Sequence, residues 1–314
     1  SWALIADMGW LMMPLAEDAG GLGLTGDAIA AVHFELGKVL STAPLTSALL
    51  GITAIGMAAD LPNHADWIEK TTSGQFITAS LALTSPNLTT DGDKPSLNGT
   101  LNAVADADMA SHILILTAGL GIACLLPRDA AGVTITERQL WDESRRLFDV
   151  TLENVVVEPA LVLASGEAVK PLARALKGQM LIALAADALG GANAALDRSV
   201  DYLKTRRQFD RPLAMFQALK HRCANLKAQI TAAEALLWSR AADPSATTAQ
   251  LGALKALACD VYRATVEEAI QLHGGIGLTE EHPCHLYMKR AMLGAQLGGS
   301  SDFWFEAAGR AALT

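Results

Sequence analysis

The chain has 314 residues, enough for two or three domains, because single hydrophobic cores stop growing at about 250–300 residues. Half of it (51%) is hydrophobic and only 5% aromatic, with Ala and Leu dominant, which makes a mostly helical fold the expectation. The formal net charge is −9 and Lys and Arg are dispersed, so no basic face exists for a nucleic-acid backbone, and that class of function is set aside.

Cys124, Cys223, Cys259 and Cys284 are widely spaced, form no CxxC pair and lie in apolar surroundings. Neither a disulfide framework nor a metal site is expected from them, and a reducing cytoplasm fits best. The long apolar stretch around Met180 contains Asp187 and a Gly-Gly pair, so it reads as a buried helix rather than a membrane span. Ser1-Trp2-Ala3 carries no basic region or cleavage pattern, so no signal peptide is expected. The chain opens inside an apparent helix, as though residues preceded it.

From Trp2 to about Leu61 the apolar residues recur at helical spacing, interrupted by Ala19-Gly-Gly-Leu-Gly-Leu24, whose glycines end one helix before Thr25 or Asp27 caps the next. Residues 1–73 therefore form an N-terminal helical domain. Between 74 and 160 the pattern turns to short β-branched or alternating runs: Phe76–Leu83, Ile113–Leu116, Val133–Thr136 and Val155–Val157. Pro86-Asn87 and Asp91-Gly92 separate them, and a compact antiparallel β-domain is predicted.

Residues 161–314 return to helix. The first runs from about Val169 to Thr205, with Pro171 in its opening turn where proline is tolerated, for a length of about 50 Å. It is apolar almost all round from Leu172 to Leu189, so neighbouring helices must wrap it. Further helices are expected at Met215–Ala241, Thr248–His273, about His285–Leu293 and Phe303–Leu313, the last pair divided by Gly298-Gly299-Ser300-Ser301.

Two motifs carry chemistry. Arg206-Arg207-Gln208-Phe209, followed by Pro212 and Phe216-Gln217, ends the long helix. It can offer a guanidinium, a ring and an amide to one ligand, and a guanidinium suits a diphosphate because its planar donors bind phosphate oxygens in pairs. Taken alone, the arginines could equally be cations at a helix C-terminus. Gln271-Leu-His-Gly-Gly-Ile-Gly-Leu-Thr279, with Glu280, Pro283 and Tyr287 after it, combines an amide at a helix end with glycines that allow close backbone approach. Its plainer reading is a glycine C-cap.

Together, in this order and separation, the motifs strongly resemble the acyl-CoA dehydrogenase family. Gly9-Trp10 through Pro14, Glu17 and Gly20-Gly21-Leu22-Gly23 look like that family's early glycine segment, and Asp142, Arg145 and Arg146 before Val155 look like the end of its β-domain. The resemblance covers nearly the whole chain, apart from the family's first helices. It implies a mainly α, three-domain fold: N-terminal helices, a middle antiparallel β-barrel-like domain and a C-terminal four-helix bundle. It also implies that Arg206, Phe209, Gln217, Gln271, Gly274 and Gly275 reach the FAD of an adjacent subunit across a dimer interface.

The same resemblance exposes gaps. The family removes an α-proton with a carboxylate while hydride leaves the β carbon for the flavin. One group of members keeps the Glu at the position of Gly298 here, and another at the position of Met180. Neither residue accepts a proton, and Leu181 stands where an Arg often touches the thioester. The flavin-cradling loop is replaced by Leu83-Thr-Ser-Pro-Asn-Leu-Thr-Thr-Asp-Gly92, in which only Thr84 and Pro86 match, and no Trp occurs around Asn98–Val104.

The sequence is thus read as a base-free subunit that completes the FAD site of a catalytic homologue. The expected assembly is an α2β2 heterotetramer in which the partner holds most of the acyl-CoA, on bulky substrates such as steroid side chains. Two alternatives are a homo-oligomeric flavoenzyme with a relocated base, Asp187 or Asp302, and a scaffold subunit without FAD contact. In the bland reading Asp187 is a buried hydrogen-bonded group and Asp302 a helix N-cap.

Overall fold

Helix, strand and helix follow one another along the chain, in a computed structural model that describes residues 2–80, 96–117 and 121–313, the side chain of Thr117 excepted. The substituted cradle segment from Leu83 to Gly92, with Thr84 and Pro86, lies outside the described residues. By packing, the chain divides into two compact units, one of residues 1–25 and 42–180, the other of residues 26–41 and 181–314.

The first unit begins with α1 (Trp2–Asp7) and a pair of short 3-10 turns. The glycine segment folds back on them: Leu22 and Gly23 donate backbone N–H groups to the carbonyls of Met12 and Leu15, and a Cβ at Gly21 would lie 2.2 Å from Leu15 O. Only glycine fits that approach. Then come α3 (Leu45–Gly56), buried along nearly its whole length, and α4 (His64–Thr72), which the sequence reading stopped short of. The intervening helix, α2 (Gly26–Lys38), belongs to the other unit.

The β-region has two open sheets. One orders β1 (Ile77–Ala79), β3 (His112–Thr117), β4 (Ile122–Pro127) and β7 (Val162–Ser165); the other orders β2 (Ser96–Ala105), β6 (Leu147–Val156) and β5 (Val133–Glu137). A single bridge, Ser80 to Val104, links them. Two expectations are corrected here. Among the described residues the sheets do not close into a barrel, and β1 pairs parallel with β3, Ile77 opposite His112, so the domain is not purely antiparallel. A parallel pair needs a crossover, which the intervening residues supply by placing β2 in the second sheet. Between the sheets lies a dry core of Leu97, Leu101, Val104, Ile113, Ile115, Phe148, Val150 and Leu152, each at most 3% exposed.

The rim of this core carries a charged knot. Asp106 sits at a left-handed φ of 46° after β2, with its carboxylate 3.5 Å from Arg146, which also binds Asp108 at 2.6 Å. Burial holds the Asp106 carboxyl up at about 6, against the pull of Arg146. The folded chain therefore binds a proton that the unfolded chain has released, and stability falls as pH rises from about 4 through about 6. We expect a loss of about 1–2 kcal/mol across that window. Asp106→Asn, which keeps a residue tolerant of positive φ, should flatten the slope in urea titrations run at stepped pH.

In the second unit the central element is the C-terminal part of α5 (Val169–Thr205), a 37-residue helix about 55 Å long. Although long and apolar enough to cross a membrane, the stretch has 83% of its most apolar window buried inside the protein. It crosses α2 backbone to backbone: a Cβ at Gly190 would lie 2.0 Å from Phe34 O, and one at Gly37 would lie 2.2 Å from Asp187 O. Around α5 stand α6 (Gln217–Ala241), α7 (Thr248–His273), α8 (Cys284–Gln296) and α9 (Ser301–Leu313). Thr247 and Gln250 form a reciprocal capping box that starts α7. Besides α5 to α9, the unit takes in α2, which meets α5 at the close glycine crossing.

Candidate functional site

In the first unit Met180 is 4% exposed and lines a cavity of about 70 Å³. The walls come from Leu50 of α3, Ala79 and Ser80 at the end of β1, Leu101 of β2, Leu114 and Leu116 of β3, and Ala173, Leu176 and Lys177 of α5. A bond from Thr53 Oγ1 to Gln179 Oε1, 2.8 Å, ties α3 to α5 beside it. No carboxylate is among the described lining residues. Instead Lys177, one turn before Met180, brings an ammonium whose pKa burial lowers. Sequence reasoning missed Lys177, since a lysine in a helix reads as a surface residue until its neighbours are known.

In the second unit the other expected base position is a fixed turn. Gly298 and Gly299 adopt φ of 68° and 103° between α8 and α9. Trp304 Nε1 donates to Gly298 O at 2.9 Å, while Lys255, fully buried in α7, donates to Gly299 O at 2.8 Å and to Ala295 O at 3.1 Å. The Trp304 ring lies on Gly252, where a Cβ would come within 1.9 Å of it. Ser300 Oγ accepts from Phe303 N–H and so takes the capping role expected of Asp302, which is exposed in the first turn of α9. Asp187 is buried and paired with Arg290, whose Nη1 lies 3.2 and 3.4 Å from its two oxygens. That carboxylate is held by a guanidinium that also reaches the Ser41 carbonyl at 3.1 Å.

The residues expected to touch a cofactor sit together at one end of the second unit. The Tyr202 ring, one turn before Arg206, is 4.5 Å from that of His273, immediately before Gly274. An ion pair between Arg222 and Glu268 binds the start of α6 to the last turns of α7. Arg206, Phe209, Gln217, Gln271, Gly274 and Gly275 are all exposed, Phe209 at 83%. Phe209 and Asp210, at φ of 54° and 60°, form the turn of a hairpin between β8 (Arg207–Gln208) and β9 (Arg211–Pro212). A phenylalanine in that conformation is strained, and it turns its ring outward, with the Phe216 ring 6.1 Å away. Gly274 has φ 62° and ψ −140°, a region essentially reserved for glycine, and Cβ atoms at Gly274 or Gly275 would meet nothing within 4 Å. Open space therefore borders both.

A family model for the acyl-CoA dehydrogenase C-terminal domain matches residues 178–313. Over 303 residues the chain is 31% identical to acyl-CoA dehydrogenase IpdE2 of Mycolicibacterium smegmatis, covering 95% of this chain and 83% of that protein. The chain belongs to the acyl-CoA dehydrogenase family. It is also 33% identical over 300 residues to IpdE2 of Mycobacterium tuberculosis, covering 94% of this chain and 81% of that one. Among solved structures, butyryl-CoA dehydrogenase from Megasphaera elsdenii matches with a TM-score of 0.90 at 23% identity, covering 100% of this chain and 89% of that chain, a likeness of fold. A Tcur3481-Tcur3483 steroid ACAD variant matches with a TM-score of 0.86 at 29% identity, covering 98% of this chain and 87% of that chain.

Within this acyl-CoA dehydrogenase chain, restoring a carboxylate at the glycine turn is expected to fail. Gly298→Glu must hold a side chain at φ 68°, a strain of about 1–2 kcal/mol before any cost of burying the acid. Urea unfolding should show at least that loss. Arg290→Met, which takes the guanidinium away from buried Asp187, should cost about 3–5 kcal/mol by the same measurement.

Proposed function

We propose that this chain is a base-free subunit of a flavin-dependent acyl-CoA dehydrogenase and completes the FAD site of a catalytic partner. The observation that carries the reading is the pair of residues at the expected base positions: Met180 on an apolar cavity wall and Gly298 in a clamped turn. The thioether and the glycine take no proton, so this chain cannot start α-proton abstraction. Supporting it is the exposed cluster of Arg206, Phe209, Gln217, Gln271, Gly274 and Gly275, with room beside the glycines for another molecule.

Those residues fit a dinucleotide carried by a neighbour. Arg206 would hold the diphosphate, its fork matched to paired phosphate oxygens. Phe209 would cover an apolar part of the group, Gln217 and Gln271 would donate amide hydrogens, and Gly274 and Gly275 would let the backbone approach closely. Bound flavin supplies the hydride acceptor; the partner supplies the proton acceptor and most of the acyl-CoA site. An α2β2 heterotetramer in the cytoplasm acting on bulky acyl-CoA thioesters is the assembly proposed. For the steroid class the support is a relative at 29% identity whose name is that of a steroid ACAD.

The test is a flavin count on the purified native complex. We expect close to one FAD for every two subunits, a colourless product when the chain is expressed alone, and loss of flavin from the complex in Arg206→Ala. A yellow homo-oligomer of this chain with acyl-CoA dehydrogenase turnover would sink the reading. Unchanged flavin in Arg206→Ala would favour a scaffold role instead.

A further inference from the structure

Cysteine spacing gave no reason to expect a metal, yet the fold gathers three ligand-type side chains at the α7–α8 loop. His273 closes α7, His282 lies in the loop and Cys284 opens α8, and one ligand atom from each lies within 4.8 Å of the others. The rings of His273 and His282 are 4.1 Å apart, and Cys284 Sγ is 3.5 Å from His273 Nδ1. His273 and Cys284 are each 3% exposed, while His282 is partly open to solvent and leaves a route in.

The hydrogen bonds of His273 show how it is presented. Its Nδ1–H donates to Ala269 O at 2.7 Å, which fixes the tautomer and leaves the Nε2 lone pair buried with no partner among the described residues. A backbone carbonyl on one ring nitrogen and a vacant lone pair on the other is how proteins orient a histidine toward an ion. His282 Nδ1 is engaged only by a long 3.4 Å contact from Cys284 N–H. Two imidazoles and a thiolate form an N₂S set that suits Zn²⁺ and leaves a fourth position for water. Donor separations in such a tetrahedral site are about 3.3–3.6 Å; Cys284 Sγ now lies beside Nδ1 of His273, so closure asks these side chains to turn the sulfur and Nε2 toward a common point.

We propose that His273, His282 and Cys284 bind one Zn²⁺ ion that pins the α7–α8 loop. Binding displaces the thiol proton of Cys284 to solvent and forms one Zn–S and two Zn–N bonds. The ion would hold both ends of the stretch that presents Gly274 and Gly275, and so would act on loop order rather than on chemistry. A plain stack of rings, with Tyr202 4.5 Å from His273 and 6.5 Å from His282, is the competing account.

The experiment strips the full chain, with any subunit that copurifies, using a chelator, reloads it with zinc chloride alone, desalts it, and measures metal by mass spectrometry alongside a thermal melt. We expect roughly one zinc per chain, a raised Tm, loss of both in Cys284→Ala and His282→Phe, and retention in the distant Cys223→Ala. Cobalt substitution should give thiolate-to-metal charge-transfer absorption in the native chain and none in Cys284→Ala. His282→Phe preserves the ring stack, so its result stands even if the cysteine variant fails to fold. Native chain that retains no zinc, or variants that retain as much as the native chain, would overturn the proposal.

Discussion

The crossing of α2 and α5 at Gly37 and Gly190 is the constraint on which the second unit depends. At this point backbone touches backbone, so neither position has room for even a methyl group. The close approach brings Asp187 and Arg290 into a buried pair, and the same guanidinium reaches the carbonyl of Ser41 just past α2. Such a pair contributes little net stability, because two desolvation costs offset the attraction, but it penalises any other arrangement of these helices. Geometry at the crossing thus fixes the scaffold on which the exposed motifs stand.

The two expected base positions are structurally settled. At Gly298 the chain takes a left-handed turn whose carbonyl is held by Trp304 and whose neighbour is held by the fully buried Lys255. A buried ammonium is tolerated only with such partners, so the lysine and the carbonyls of this turn depend on each other. At Met180 a flexible thioether fills the wall of an apolar cavity. The strained, outward Phe209 stands in contrast, since a surface aromatic held at positive φ gains no burial within its own chain.

The helices of the C-terminal half were legible in the sequence. The expected spans Val169–Thr205 and Thr248–His273 coincide with α5 and α7, since all-round apolarity, Thr247 with Gln250 at one end and Gly274 at the other are local signals. The six expected cofactor residues come from the family resemblance that the order and spacing of their two motifs carry. In the β-region only fragments were legible: β4 carries no clean alternation, because both faces of a buried strand are apolar, whereas sequence reasoning missed the plain alternation from Phe148 to Glu153 in β6.

Sequence alone determined helix-strand-helix order and the resemblance to the family, which names Gly298 and Met180 as the expected base positions, because these rest on residue identity and short-range periodicity. Tertiary structure decided what no local pattern encodes: that β1 runs parallel to β3, that the sheets stay open, that Lys177 lies on a cavity wall, and that Ser300 caps α9. It also decided that His273, His282 and Cys284 meet. Each of these depends on where distant segments come to rest, and the closest of those approaches are set by backbone contacts that only the folded chain makes.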